Sequence, residues 1–361
     1  MALTASISVL TQAGCSCPAQ NRADKALVVS AGDPHVLVSG RADGLGTNCV
    51  TLGWSGARVR LRFTGSEVGI RLEDERGANW AVAWIDGVKG EKFRLNAPDG
   101  FYKLASGLPQ GEHTVEVVRL TECDIGLTRF KGFVLSPGAK ALAWGPEKPR
   151  KIEIIGDSIT SGYGIEVDDP NLHFAPETEN FTLSYAGLTV RALEADYLIV
   201  SRSGIGMIRN YDGPREGSEH AMPEVFPHLF YLHESPMWNP AAFTPDVICI
   251  NIGTNDFSTT GCNVEKFEAA YVAFTGKLLA DYPKAKLVFL RGPMENGDAL
   301  KASLEKIKAA LEQDAPGRIT IFAMSAQGSR GYGADWHPSR AQGEVNAAEL
   351  TAYLRDLMDW R

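Results

Sequence analysis

The sequence predicts an α/β protein in two parts: an all-β sandwich over residues 27–145, then a parallel sheet with helices on both faces over 146–361. Three observations predict it. The front half carries short alternating stretches between turns and no helical period. The rear half alternates short apolar strands with helical spacing, the pattern of βαβ units. Several of those strands end in small or polar residues, where a parallel sheet collects its reactive groups. Residues 1–26 are read as an N-terminal segment, disordered or a signal remnant.

In the front half, Arg58–Phe63 and Val68–Glu73 alternate polar and apolar residues. Trp80–Ile85 runs into Asp86-Gly87, a strong hairpin signal. His113–Leu120 alternates again after Gly111. Many short strands of this kind imply a sandwich of jelly-roll type. After the prolines at 146 and 149, Lys151–Ile155, Tyr197–Val200, Asp246–Ile252 and Lys286–Leu290 read as strands. Helical spacing covers 184–195, 264–281, 298–313 and 339–359, with Pro283 and Pro316 as stops after two of them.

Composition excludes some partners. The net charge of −8 has no concentrated basic block, which argues against nucleic acid or an anionic membrane surface. It leaves a neutral polysaccharide open. No stretch reaches the apolar length of a spanning helix. The first 14 residues lack a positive n-region, and the apolar run before Gly14-Cys15 is too short for a lipoprotein signal. The six cysteines are scattered and no disulfide framework is needed at this length; Cys15-Ser16-Cys17 fits neither a zinc knuckle nor a redox pair, and Cys249 reads as core filler.

Four strand-end elements carry the chemistry. Gly156-Asp157-Ser158 follows the first strand of the rear half, where a serine at a strand-to-helix turn presents its hydroxyl outward. The bland alternative is that Asp157 and Ser158 only cap a helix. Gly204 follows the second strand and can expose a backbone N–H, although a glycine there is commonly just a turn. Gly253-Thr254-Asn255-Asp256 follows the third; an asparagine amide there can donate to an oxyanion or merely make an Asx turn. Asp335-Trp336-His337-Pro338 precedes the last helix and holds the histidine with mechanistic context. His220, His228 and His233 lack metal-ligand spacing, and His35 and His113 read as surface residues of the sandwich.

In this order the blocks resemble the SGNH (GDSL-like) hydrolases over residues 151–361, and the two-part plan is similar to carbohydrate esterase family 2. Trp54-Ser55-Gly56, Phe63-Thr64-Gly65, Gly111–Val115 and Ser184-Tyr185-Ala186 carry that finer resemblance. It implies a serine O-acetyl esterase acting on plant cell-wall polysaccharide such as xylan or glucomannan, working as a monomer, secreted or periplasmic, without metal or organic cofactor. Ser158 would be the nucleophile and His337 its base, with the oxyanion held by the N–H groups of Ser158 and Gly204 and the amide of Asn255.

One position departs from the superfamily pattern. The aspartate three residues before the histidine is Ala334 here, and Asp335 stands two before instead. Either Asp335 orients the imidazole, or a backbone carbonyl does and a Ser–His dyad operates, an arrangement known in this family. Trp336 and Trp238 are the candidate sugar platforms, with packing as the common fate of such rings. A lipase or thioesterase of the wider superfamily, a bacterial cell-wall deacetylase, and a non-catalytic carbohydrate-binding protein are the other readings.

Overall fold

The computed structural model describes residues 25–145, 150–231, 236–294 and 297–360. The junction prolines Pro146 and Pro149, His233, Cys15, Cys17 and nearly all of the N-terminal segment lie outside the described residues.

Alternation in the front half becomes two facing antiparallel sheets. In one, Thr128–Leu135 pairs with Glu67–Asp74, Val50–Leu52 and Leu27–Ser30. In the other, Glu112–Arg119 lies between Arg58–Thr64 and Trp80–Ile85. The inward faces bury Leu61, Phe63, Ile70, Phe130 and Phe133 completely, as a period of two requires. Asp86 and Gly87 both take positive φ, 51° and 81°, and turn Trp80–Ile85 into Val88–Arg94. His113 is a correction: it is buried, with Nδ1 2.7 Å from Asp86 Oδ2 across this hairpin. Val88–Arg94 is a largely exposed edge strand. In Thr128–Leu135 a bulge between Phe130 and Gly132 breaks the period.

The rear half is a parallel sheet of β1 (Lys151–Gly156), β2 (Asp196–Ser201), β3 (Val247–Asn251), β4 (Lys286–Arg291) and β5 (Ile319–Ala323) in the order β2-β1-β3-β4-β5. Helix α1 (Tyr185–Ala192) packs on α4 (Arg340–Met358) over one face, and α2 (Val264–Asp281) packs on α3 (Asp298–Leu311) over the other. The sequence does not single out β5, a partly exposed edge strand. Helix α1 is shorter than predicted because Ser184 is its cap and Glu194 leaves it at φ 50°.

The strand order reverses direction at β1, and that switch point is where such sheets bind ligands. Register aligns Gly156 with Ser201 on one side and Asn251 on the other. The segments after β1, β2 and β3 therefore emerge side by side.

The sandwich shares its core with this sheet. Trp54 and Cys123 join the cluster containing Val200 and Ile250, and Val118 and Leu120 join that of Ile152 and Tyr197. Trp54 Nε1 donates to the Leu229 carbonyl at 2.8 Å. Arg41, fully buried, reaches Glu153 of β1 at 3.5 Å.

Candidate active site

Asp157 caps the single helical turn Ser158–Ser161, its Oδ1 accepting the Ile159 N–H at 3.0 Å. Ser158 thus opens a helical turn, a position whose N–H has no intrahelical acceptor. Among the described residues neither the Ser158 nor the Gly204 N–H has another hydrogen-bond acceptor. The histidine loop reaches this turn through a close backbone crossing. Ala334 N–H donates to the Gly164 carbonyl at 3.1 Å, and a Cβ on Gly164 would lie 2.4 Å from that of Ala334.

This crossing sets His337 Nε2 2.9 Å from Ser158 Oγ. Nδ1 lies 3.2 Å from both the Ala334 and Asp335 carbonyl oxygens. Carbonyls only accept, so Nδ1 carries the proton and Nε2 offers its lone pair to the serine hydroxyl. The Tyr163 ring stacks on the imidazole with centroids 4.0 Å apart at 26°. Enclosure pushes the His337 pKa down to about 4, with the two carbonyls and the Asp335 charge opposing. The imidazole is neutral at pH 7, the state a general base requires.

Asp335 does not take the role of imidazole-orienting carboxylate. Its Oδ2 accepts from Tyr163 Oη at 2.7 Å and Phe174 N at 3.0 Å, and its Oδ1 lies 2.7 Å from His173 Nδ1. The cause is local backbone: Asp335 and Trp336 sit consecutively at φ 48° and 61°, which turns the carboxylate towards Tyr163 and leaves only carbonyls for Nδ1. Left-handed backbone at non-glycine residues costs about 1–3 kcal/mol each and persists where surroundings over-determine it. Asp335→Asn is accordingly expected to lower kcat less than about tenfold, against about 10⁴ for a true triad aspartate. Steady-state kinetics on an aryl acetate separates the two.

Gly204 takes φ 75°, a conformation that side chains rarely adopt. Asn255 Nδ2 donates to the Ile205 carbonyl at 2.8 Å and lies 3.4 Å from Asp157 Oδ2. The loop after Gly204 is tied down by Asp256, whose carboxylate accepts the N–H groups of Met207, Ile208 and Arg209 at 2.7–2.9 Å. Burial pushes Asp157 up to about 7 and Asp256 up to about 6.

These groups open onto a cavity of about 750 Å³, lined among others by Ser158, His337, Gly204, Asn255, Tyr211 and Trp336. Trp336 is 55% and Tyr211 62% exposed. Met294 is the one aliphatic side chain among the described residues lining the cavity. Trp238, the other expected sugar platform, is not part of this lining. It packs against the core with the Arg41 guanidinium 5.1 Å over its ring, so packing claims it instead. Among the described residues no group of three or more His, Cys, Asp or Glu is placed to hold a metal, and no helix is long and apolar enough to cross a membrane.

Comparison with known proteins matches residues 38–144 to the carbohydrate esterase 2 N-terminal family and 154–347 to the GDSL-like lipase/acylhydrolase family. An acetylxylan esterase / glucomannan deacetylase of Cellvibrio japonicus is 30% identical over 336 residues, covering 92% of this chain and 91% of that protein. The chain belongs to carbohydrate esterase family 2. The cellulase/esterase CelE of Acetivibrio thermocellus is 34% identical over 333 residues, 91% of this chain; the chain spans 40% of that protein's length. A solved family two carbohydrate esterase from Clostridium thermocellum, in complex with cellohexaose, superposes with a TM-score of 0.85 at 33% identity over 90% of this chain and 100% of that one. The family two esterase structure from Cellvibrio japonicus gives 0.82 at 28% identity, covering 93% of this chain and 98% of that one.

As a family member the chain is a carboxylic ester hydrolase with an SGNH catalytic fold behind a jelly-roll sandwich. Tyr163, Asp256 and Tyr211 surround its site without having been singled out from sequence. Asp256 stands inside a quoted block and Tyr163 five residues after Ser158, but what they touch depends on segments far along the chain.

Proposed function

We propose that this esterase removes O-acetyl groups from plant cell-wall polysaccharide, xylan or glucomannan, outside the cell and as a monomer, with Ser158 and His337 acting as a dyad. The observation that carries the chemistry is the 2.9 Å approach of His337 Nε2 to Ser158 Oγ, with Nδ1 held by two carbonyls. His337 takes the hydroxyl proton as Oγ attacks the acetyl carbon. The oxyanion receives N–H groups from Ser158, Gly204 and Asn255. Collapse breaks the bond to the sugar oxygen, which takes the proton from His337 and leaves as the sugar hydroxyl. Water, deprotonated by the same imidazole, then releases acetate and frees the serine.

The substrate class follows from the Cellvibrio relative, named an acetylxylan esterase / glucomannan deacetylase. Aromatic rings and polar groups make up most of the lining, and Met294 is its one aliphatic side chain among the described residues, which supports a short acyl group over a long chain. Trp336 and Tyr211 present exposed rings on which the apolar face of a sugar can stack.

The test is acetate release from acetylated xylan and glucomannan, set beside hydrolysis of a decanoate ester, with Ser158→Ala as the blank. Acetate release above the blank and negligible decanoate turnover are expected. Preference for decanoate would move the reading to a lipase. Silence on every ester would leave a carbohydrate-binding protein.

A further inference from the structure

Directly beneath the segment that carries Gly204 lies a tripeptide of the other domain. Glu122, Cys123 and Asp124 close the sandwich strand Glu112–Arg119 and reach under the end of β2. The Cys123 thiol donates to the Ser201 carbonyl at 3.8 Å. Arg202 Nε donates to Asp124 Oδ2 at 3.3 Å. The Ser203 N–H donates to Glu122 Oε2. Three successive sandwich residues thus hold three successive residues of the catalytic domain, and the next is Gly204.

The Glu122 end of this grip is rigid. Glu122 is 3% exposed. Its own N–H donates to Glu179 Oε2 at 3.0 Å, and its carbonyl accepts from Arg119 Nη2 at 2.9 Å. Arg119, also buried, is tied further to Asn79, Thr121 and Leu52. On the far side of Gly204, its carbonyl accepts the Tyr211 N–H at 2.7 Å. The peptides on either side of the one that carries the Gly204 N–H are therefore both pinned, and Gly204 lines the cavity with that N–H unclaimed among the described residues.

We infer that Glu122 is a positioning residue for the Gly204 oxyanion donor, so that the sandwich supplies part of the catalytic geometry. It touches no reacting atom. By holding the Ser203 N–H it fixes the Arg202–Ser203 peptide, the one next to the Ser203–Gly204 peptide that carries the donor, and a backbone donor displaced by half an ångström loses much of its value to a developing oxyanion. What the position needs is an acceptor of the right reach. Burial and Asp124 push the Glu122 carboxyl up to about 7, and a neutral carboxyl still accepts through its carbonyl oxygen, as a glutamine amide does.

The inference rests on the esterase reading, and the experiment keeps the two apart. Glu122→Ala, Glu122→Asp and Glu122→Gln are compared with the wild-type chain on 4-nitrophenyl acetate, with melting temperatures alongside. Removing one oxyanion donor outright costs about 10²–10³ in kcat, and a misplaced donor costs less. Glu122→Ala is expected to lose about 10–100-fold in kcat with KM within about twofold, since the oxyanion exists only in the transition state. Glu122→Gln should return to within about fivefold of wild type. Glu122→Asp, too short to reach Ser203, should behave like alanine and carries the test where the alanine variant does not fold.

A folded Ala or Asp variant with wild-type kcat overturns the inference, as does a loss confined to KM or a Gln variant as impaired as alanine. If neither shortened variant folds, the role is structural and the inference falls. Absence of wild-type ester turnover overturns the esterase reading itself, whereas wild-type turnover with an unimpaired Ala variant overturns this inference alone.

Discussion

Replacing Ser158 or His337 by alanine is expected to lower kcat about 10⁴–10⁶-fold each, with the double variant scarcely worse than either. On the proposed mechanism the two side chains act as one unit. Without His337, no other base bonds the hydroxyl among the described residues, and the nearby Asp335 carboxylate is taken by Tyr163, Phe174 and His173. Without Ser158, the imidazole has no hydroxyl 2.9 Å away to activate. Titration of the same base sets the acid limb of wild-type kcat/KM. Protonated imidazole cannot accept, and burial pushes its pKa from 6.5 down to about 4. Activity should therefore survive well below pH 6.5 and fall as pH drops through about 4. Between those values the unfolded chain binds a proton at His337 that the folded chain does not, so this residue's share of stability declines as pH falls through that window. A kcat/KM profile with its acid limb near pH 6.5 would show that the ring is solvated when the enzyme works.

What could be read from sequence was governed by how local its cause was. Ser158, Gly204 and Asn255 each follow a short apolar strand, and parallel pairing alone brings the ends of β1, β2 and β3 together. His337 precedes the last helix, and proximity to Ser158 needed only a crossing at Gly164. Asp335 misled because the direction of its carboxylate depends on two consecutive left-handed residues, which no spacing rule foretells. Trp238 misled for the opposite reason. An indole looks the same in sequence whether it faces sugar or core, and here it meets Arg41, contributed by the sandwich. Glu122 was out of reach altogether: its partner Ser203 is 81 positions away and in the other domain. Long-range contacts of that kind are fixed by the shared apolar core of Trp54, Cys123 and Val200, which a local reading cannot assemble.

Asn255→Ala is expected to lower kcat about 10²–10³-fold with KM nearly unchanged, measured on an aryl acetate at neutral pH. The amide nitrogen carries two hydrogens. One is committed to the Ile205 carbonyl at 2.8 Å, which fixes the side chain against the loop that carries Gly204. The other is only loosely engaged, since the contact to Asp157 Oδ2 is 3.4 Å. A donor with a weak ground-state partner can shift its bond to an oxyanion as charge develops, and such a shift accelerates the chemical step without tightening substrate binding. Asp157 bears on the same balance. Burial holds its pKa at about 7, so near neutral pH it exchanges between a charged and a neutral acceptor, and the neutral form competes less for the amide hydrogen. Truncation to alanine also frees the Ile205 carbonyl, so a structural loss must be separated from the catalytic one. The melting temperature of the alanine variant reports the structural part. Asn255→Asp keeps the volume but puts acceptors where both donors were, and it should be at least as inactive as alanine. An alanine or aspartate variant with near-wild-type kcat would mean that neither the bond to Ile205 nor an Asn255 donor is needed and that the backbone N–H groups of Ser158 and Gly204 carry the oxyanion alone.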